Sequence, residues 1–445
     1  MRKKVANWGN YPVMESEEGQ FRTVGELRSL LQTDKAVIAR GNGRCYGDAS
    51  LSEVTVSTLK YDKITAFDTA TGIITCQSGI TLDQLLEVIV PKGWFLPVTP
   101  GTKFVTIGGM VASDVHGKNH HIDGAFSRHV LEIELLTGTG DIITCSKTYL
   151  PELLEATCGG MGLTGVILSV RFQLKAIETA YINQHRIKVD NLSELLDLFE
   201  KYHSVTYSVA WIDCLKNGSG FGRSVLLLGE HATLNELSAA TLAKGALALP
   251  PKKSINFPIN LPSWVLNNFT VKAFNFLYYH KNFTKEAHSV IPYEPYFYPL
   301  DAILHWNRGY GKKGFIQYQF VVPLENKEGL VHILRRISDK GWGSFLAVLK
   351  VFGNQDNGIA FPREGYTLAL DFPVRDGLFP FLEELDQIVL QFGGRLYLSK
   401  DARMTAQTYR SGYADAAKAF SKVLDTYNPT QKFRSVQSTR LAITH

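Results

Sequence analysis

Residues 113–121, SDVHGKNHH, hold three histidines within six positions, beside an aspartate and a lysine. Imidazoles this close together can bind a metal ion, transfer a proton or shape a loop. His116 and His120 are four residues apart, a spacing that brings two ligands together on a helix. Gly117 and Asn119 disfavour a helix there, and no third ligand has a suitable spacing. The sequence therefore disfavours a metal site and leaves proton transfer or a structural role.

Two glycine-rich stretches are suited to an anion. ARGNGRCYGDAS (39–50) directly follows the strand pattern KAVIAR, and TPGTKFVTIGGMVASDVHG (99–117) runs into the histidine cluster. Glycine permits positive φ and close backbone approach, so consecutive N–H groups can converge on a pyrophosphate. Two such loops in one domain predict a ligand that carries phosphates.

A third stretch, GMGLTG (160–165), matches the dinucleotide motif GxGxxG. That motif must follow a strand and open a helix. Here a helical pattern, PELLEATC, precedes it and a strand pattern, VILSVRFQL, follows. We therefore interpret it as a turn between a helix and a strand, and a Rossmann fold is disfavoured.

The composition is that of an ordinary globular protein, with 45% hydrophobic and 20% charged residues in 445. This length predicts two domains. A net charge of +5 gives no support for nucleic acid as a partner. Five scattered cysteines without a CxxC pair fit a reducing compartment, and no signal-peptide core or membrane-spanning run is present. We expect a cytoplasmic location.

Periodicity predicts two different halves. Up to about residue 175, short strands mix with short helices, among them a helix after the Thr81 and Gln84 capping box and a hairpin within 129–146. From about 179 a unit recurs in which a strand ends near a proline, Pro323 or Pro373, and an amphipathic helix follows. Such units predict an antiparallel sheet backed by helices.

The order of RGNGRCYGD, PGTKFVTIGG, DVHGKNHH and GGMGLTG resembles the FAD-binding domain of the vanillyl-alcohol oxidase and p-cresol methylhydroxylase (PCMH) family. The similarity continues through AWIDCL, YPLDAILHWNRGYG, IQYQFVVP, SFLAVLKVFG and GGRLYLSKDAR, and it is greatest for the branch that oxidises polyprenylphosphoryl ribose. It implies an α+β protein with a two-subdomain FAD-binding domain (1–178, completed by 395–445). A substrate-binding domain (179–394), an antiparallel sheet backed by helices, lies between.

The resemblance also assigns the flavin contacts. Many members of the family tether FAD through a histidine in the first loop, where this chain has Arg44, and the second loop has no cysteine. Non-covalent FAD is therefore implied. The matching positions are Ala39, Arg40, Gly41, Asn42, Gly43, Arg44, Cys45, Tyr46, Gly47, Asp48, Ala49, Gly101, Thr106, Ile107, Gly108, Gly109, Ser113, Asp114, Val115, His116, Ile167 and Tyr397.

Alcohol oxidation needs a group that takes the hydroxyl proton and positive charge beside the reduced flavin. The resemblance implies that His116 and Lys400 are catalytic, although Lys400 alone would be interpreted as a solvated lysine. His120 and His121 are expected to shape the loop through hydrogen bonds. Substrate contacts are implied for Tyr46, Lys118, Trp211, Arg308, Gln319, Lys350 and Ala369. Trp211 and Gln319 fit core or strand-edge positions equally well.

Two positions depart from the family pattern. Ala369 stands where the family enzyme has a cysteine that covalent inhibitors attack, and Thr367 stands where it has an asparagine. Hydride transfer does not require that cysteine. We therefore expect activity to persist with an altered fit of the substrate.

Residues 252–285 contain five lysines, no acidic residue and many aromatic residues. This composition is typical of a surface that meets anionic lipid, and equally of a helical core segment with basic decoration.

The expected activity is oxidation of a secondary sugar hydroxyl, the 2-hydroxyl of a polyprenylphosphoryl-β-D-ribose, as the first half of an epimerisation to arabinose. A short-chain NAD(P)-dependent reductase would be the partner. The alternatives are an oxidase of a soluble polyol or sugar lactone, and a non-catalytic flavin- or lipid-binding module.

Overall fold

Four short strands at the start of the chain position the first glycine loop. In the computed structural model, which describes residues 2–248, 254–262, 265–355 and 357–445, they form a sheet in the order β1-β2-β4-β3. The strands are β1 (Arg2–Ala6), β2 (Val13–Gln20), β3 (Val37–Arg40) and β4 (Val54–Ser57). Val37 and Ile38 are fully buried, and the loop starts at Arg40, the last residue of β3.

An antiparallel sheet follows in the order β5-β6-β10-β8-β9. Residues 64–176 contribute β5 (Ile64–Asp68), β6 (Ile73–Gln77), β7 (Trp94–Phe95), β8 (Val130–Thr137), β9 (Ile142–Ser146), β10 (Gly165–Gln173) and β11 (Lys175–Ala176), of which β7 and β11 pair with each other. The predicted hairpin is confirmed as β8 and β9. GMGLTG is confirmed as the turn that enters β10.

The α-helices of the described residues lie mainly on the faces of these sheets. They are α1 (Val24–Leu30), α2 (Leu82–Ile89), α3 (Ile107–Ala112), α4 (His120–Asp123), α5 (Pro151–Thr157), α6 (Leu192–Lys201), α7 (Ala239–Leu242), α8 (Asn268–His280), α9 (Tyr293–Phe297), α10 (Glu328–Lys340), α11 (Leu378–Gln391), α12 (Ala406–Tyr427) and α13 (Val436–Arg440). The predicted capping box of Thr81 and Gln84 is present at the start of α2. Among these helices, none has the length and apolar character needed to cross a bilayer.

The second half is built on a larger antiparallel sheet. Its strands run in the order β16-β12-β14-β13-β19-β20-β18-β21. The strands after residue 180 are β12 (Tyr181–Val189), β13 (Tyr207–Ile212), β14 (Ser224–His231), β15 (Ile255–Asn256), β16 (Glu286–Pro292), β17 (Ile303–Leu304), β18 (Phe315–Val322), β19 (Val348–Phe352), β20 (Gly365–Pro373) and β21 (Arg395–Leu396), with β15 and β17 paired separately. The antiparallel sheet backed by α10 and α11 confirms the α+β class, because Leu330, Ile333 and Leu382 pack in its core.

The C-terminal segment joins the two halves. Its first residues form β21, which pairs with β18 in the large sheet. Further along, Phe433 lies beside Val37 in a parallel bridge and extends the first sheet. Arg440 then donates to both oxygens of Asp48 and to Asp401, at 2.7 to 3.0 Å.

We predict that Arg440→Leu destabilises the fold by about 3–5 kcal/mol, because breaking a buried ion pair leaves uncompensated charge. The Asp48 and Asp401 side chains are only 2% and 3% exposed. Urea unfolding measures the change. Lys418→Ala is the matched control, since its ion pair with Asp415 is exposed and its loss should leave stability unaltered. Equal stability of the two variants would contradict the prediction.

Candidate active site

The two glycine loops and the large sheet enclose one cavity of about 340 Å³. Residues 39–46 line one side, and Gly101, Thr106, Gly108 and Gly109 line the next. The large sheet contributes Gln317, Gln319, Val348, Lys350 and Ala369. The loops and the sheet that the sequence assigned to different domains therefore meet at the same place.

Strand register explains why the polar residues of the sheet share this cavity. Gln319 lies opposite Ala369, and Ala369 lies opposite Val348. Lys350 lies two residues beyond Val348, and alternate residues of a strand point to the same face. The intervening residues, such as Leu349, are buried in the core on the other face. The register of β18, β19 and β20 thus determines both which residues form the core and which polar residues line the cavity.

His116 is the centre of the polar contacts. Its Nδ1 lies 3.0 Å from Lys350 Nζ, and its Nε2 lies 3.1 Å from Gln319 Nε2. Gln319 Nε2 also donates to Thr367 Oγ1, at 3.2 Å. Burial, followed by the charge of Lys350, holds the pKa of His116 well below its usual range. The imidazole is therefore neutral, with each ring nitrogen held by a side chain from the sheet.

Two lysines bring positive charge into the cavity. Burial, then repulsion by Lys400 and Lys118, lowers the pKa of Lys350 to about 7. Burial lowers the pKa of Lys400 to about 8, although Asp371 opposes the shift. Lys400 Nζ lies 3.8 Å from the centre of the Tyr46 ring. A buried cation costs free energy unless an anion accompanies it, so the cavity is suited to a negatively charged ligand.

Asp371 is the acidic group whose charge acts on Lys400. Burial raises the pKa of this carboxyl to about 7. Its oxygens accept hydrogen bonds from Gln317 Nε2, at 2.6 Å, and from the Tyr310 hydroxyl, at 3.3 Å. At neutral pH this carboxyl is about half protonated, so it offsets only part of the lysine charge.

The residues where the two glycine loops meet fit FAD. A Cβ at Gly41 would lie 2.3 Å from Thr106 Oγ1, and one at Gly108 would lie 2.8 Å from Ser78 Cβ. Only glycine therefore lets the loops approach this closely. Arg40 Nε and Ser78 Oγ are buried and make no hydrogen bond within the described residues, although both residues line the cavity. Both atoms are available to a pyrophosphate.

Most of the residues expected at the site line this cavity. They are Ala39, Arg40, Gly41, Asn42, Gly43, Arg44, Cys45, Tyr46, Ala49, Gly101, Thr106, Gly108, Gly109, Ser113, Val115, His116, Ile167, Gln319, Lys350, Ala369, Tyr397 and Lys400. Gly47, Asp48, Ile107, Asp114, Lys118, Trp211 and Arg308 are outside that lining.

The expected flavin contacts outside the lining support the loops from behind. Asp48 is held by Arg440, and Ile107 is buried in the core. Asp114 accepts hydrogen bonds from Ser127 and from Asn357, at 2.9 to 3.0 Å. These contacts fix the loops that carry the lining residues.

The expected substrate contacts outside the lining have protein partners. Lys118 Nζ donates to the Tyr296 carbonyl. Trp211 Nε1 donates to the Phe345 carbonyl at 3.1 Å, and Arg308 donates to the Phe257 carbonyl at 3.0 Å. These side chains thus have backbone acceptors and do not depend on a ligand for hydrogen bonding.

The other two histidines of the cluster differ from each other. His121 Nε2 lies 2.9 Å from the Val205 carbonyl, as expected of a histidine that shapes the loop. His120 makes no side-chain hydrogen bond to the residues described, and its ring packs 4.4 Å from that of Phe352. The prediction that His120 shapes the loop through hydrogen bonds is therefore wrong. Its role is packing.

Sequence reasoning missed several lining residues. Gln317 is two residues before Gln319 in the strand, so alternation alone places both on the same face. Gly162 and Gly165 of the GMGLTG turn also line the cavity. No local pattern signals this approach, because it depends on long-range packing.

Comparison with known proteins identifies the cofactor. Residues 22–146 match the model of a family described as FAD binding domain. Decaprenylphosphoryl-beta-D-ribose oxidase from Mycolicibacterium smegmatis is 34% identical over 456 residues, which cover 99% of this chain and 98% of that protein. An uncharacterised protein from Streptomyces coelicolor is 32% identical over 82% of this chain and all of its own length. L-gulonolactone oxidase from Bos taurus is 28% identical over 47% of this chain and 51% of its own. These similarities confirm FAD as the cofactor and an FAD-dependent oxidoreductase as the class.

Proposed function

Because the chain belongs to the family of FAD-dependent oxidoreductases that includes decaprenylphosphoryl-beta-D-ribose oxidase, we propose that it oxidises a polyprenyl-phosphate-linked sugar. The reacting group is a secondary hydroxyl, the 2-hydroxyl of the ribose, and the product is a ketone. Reduction of that ketone by a short-chain NAD(P)-dependent reductase would complete an epimerisation to arabinose.

The observation that carries the proposal is the pair of buried amines of Lys350 and Lys400. At neutral pH Lys400 is mostly charged and Lys350, with a pKa of about 7, is about half charged. Asp371, whose pKa is also raised to about 7, offsets the charge of Lys400 only in part. A sugar joined to a lipid through phosphate supplies the missing negative charge, whereas a free sugar or a lactone does not. The positive charge of Lys350 and Lys400 thus favours a phosphorylated substrate.

His116 takes the proton of the reacting hydroxyl in this proposal. Its imidazole is neutral and can accept a proton at a ring nitrogen. Gln319 and Lys350 contact the ring at its two nitrogens, which fixes its orientation. The nitrogen that takes the proton would exchange its protein contact for the substrate hydroxyl. Lys400 supplies positive charge where negative charge develops. When bound, FAD supplies the acceptor for the hydride that leaves the alcohol carbon.

The proposed domains follow from these roles. FAD would be bound by residues 1–178, completed by 395–445, and the sugar by residues 179–394. Because β21 pairs with β18, Arg395 and Leu396 belong to the sheet of the substrate side while the rest of their segment continues to the first sheet.

The lipid tail would leave the cavity over the surface of residues 254–262 and 265–285. Lys252 and Lys253, part of the basic stretch in the sequence, lie outside the described residues. Phe269 and Phe283 are 80% and 94% exposed, and Phe276 is 54% exposed. Lys272 and Lys281 accompany these rings, so the surface combines apolar area with positive charge.

The β15 end of this surface lies beside the cavity. Ile255 of β15 pairs with Ile303 of β17, and Leu300 and Trp306, on either side of β17, line the cavity. We therefore place an anionic membrane surface against α8. Of the two sequence interpretations, this exposure favours a lipid contact over a core helix.

We predict that polyprenylphosphoryl ribose bleaches the flavin of the wild-type protein, while free ribose and sugar lactones do not. Anaerobic absorbance near the flavin bands measures the reaction. Bleaching by free sugars alone would favour the soluble-sugar oxidase, and bleaching by none would favour a non-catalytic flavin protein.

His116→Ala gives the matched test of the site. It should retain bound FAD and lose about 100-fold or more of the bleaching rate, the range expected for a general base. His121→Ala, from the same loop but outside the cavity lining, is the control and should bleach normally.

The affinity for the phosphorylated sugar should fall as pH rises from 6 to 9. Lys350 and Lys400 are protonated below their pKa values of about 7 and about 8, so their charge is lost on the alkaline side. We expect the dissociation constant to rise about tenfold or more, since a hydrogen bond to a charged group contributes about 1.5–3 kcal/mol. Flavin absorbance during titration with the 2-deoxy analogue of the polyprenylphosphoryl sugar measures it, because this phosphodiester keeps one charge from pH 6 to 9 and has no 2-hydroxyl to oxidise.

The Lys350→Met variant should bind the phosphorylated sugar weakly already at pH 6. Its dissociation constant should no longer rise near pH 7. Lys312→Met, at an exposed lysine outside the cavity lining, is the control. If the dissociation constant of Lys350→Met depended on pH as that of the wild type does, a role of Lys350 in binding the phosphate would be contradicted.

Replacement of both Phe269 and Phe276 by serine should weaken binding to phosphatidylglycerol vesicles about tenfold or more, because each ring loses apolar area buried in lipid. Co-sedimentation of the FAD-bound protein measures the effect. Tyr149→Ser, at a 62% exposed ring elsewhere, is the control. Equal binding of the double variant and wild type, or equal binding to phosphatidylcholine, would contradict the membrane contact.

A further inference from the structure

A separate set of metal-ligating side chains lies at the outer edge of the large sheet. His185 on β12 and Glu286 and His288 on β16 each offer a ligand atom, and these three atoms all lie within 4.8 Å of one another. None of the three residues lines the cavity. This group is therefore independent of the proposed oxidation site.

Strand pairing holds the three residues in place. His185 lies directly opposite His288, and their rings stack with centres 4.1 Å apart and planes 14° apart. His185 Nε2 lies 3.0 Å from Glu286 Oε2. The β12 and β16 ladder extends without a bulge from Tyr181 to Ile187. Ligands on paired strands are positioned more rigidly than ligands on loops.

The surroundings leave the three ligand atoms accessible to a cation. The Glu286 side chain is 55% exposed, whereas that of His185 is 17% exposed. Lys285, the basic neighbour of Glu286, forms ion pairs with Asp190 and Glu194 at 3.5 and 3.0 Å. Its charge is thus engaged by other carboxylates.

We propose that His185, Glu286 and His288 bind a late first-row divalent cation, with Zn²⁺ as the representative ion. Two imidazoles and a carboxylate are a ligand set that zinc accepts in tetrahedral sites, with water in the fourth position. Binding would require the exposed Glu286 and His288 side chains to rotate, which opens the stack of the two rings and allows the usual ligand distances of about 2.0–2.2 Å from the ion.

The ion would stabilise the edge of the large sheet. Within the described part of the chain, β16 is an edge strand that pairs with β12 on one side. It begins six residues after the end of α8, at Glu286. A cation shared between the two strands links β16 to the sheet by side chains as well as by the backbone. Its effect is structural and stabilises the exit from α8.

Isothermal titration of the FAD-bound protein with ZnCl₂, after removal of metal by a chelator, tests the site. Wild-type protein should bind one Zn²⁺ per chain, and His185→Ala, His288→Ala and Glu286→Gln should each weaken that binding at least tenfold. His332→Ala is the control for a surface histidine, since this exposed residue of α10 packs its ring 5.3 Å from that of Phe392. Circular dichroism of each variant checks the fold.

Cobalt gives an independent readout of geometry. Co²⁺ bound to the wild type should produce the visible absorption of a tetrahedral site, and His288→Ala should remove it. Absence of Zn²⁺ binding, or binding that survives all three substitutions unchanged, would overturn the proposal.

Discussion

Positive charge buried between two sheets is the constraint on which the rest of this site depends. Lys350 comes from a strand whose other face is core, and Lys400 follows a short edge strand that closes the same sheet. The register that buries Leu349 also directs Lys350 into the cavity, so the charge cannot be moved without disturbing the core. A ligand with phosphate groups relieves this cost, and the glycine loops on the facing side provide room for one.

The neutral state of His116 follows first from burial and second from the same charge. Desolvation disfavours the protonated ring, and a second cation beside Lys350 would also be unfavourable, so the imidazole stays unprotonated. The contact with Lys350 also orients the ring. The charge in the cavity and the orientation of the ring therefore have a common origin in the sheet.

Local patterns predicted much of this architecture. The capping box at Thr81, the glycine loops and the strands that end near Pro323 and Pro373 are each specified by residues a few positions apart. The same locality explains what was missed. The GMGLTG turn was predicted as a turn, but its approach to the cavity depends on strands more than 100 residues away. Asp371 was not predicted because its burial beside Lys400 arises only when β20 and β21 take their places on either side of β18.

The pairing of Val37 with Phe433 has a consequence for biosynthesis. The strand that begins the first glycine loop leaves the ribosome well before the segment around Phe433 that extends its sheet. Contacts this distant in sequence form late in folding. The edge of β3 would remain uncovered until that segment is made, and nascent chains would depend on it to finish the sheet from which the first loop starts.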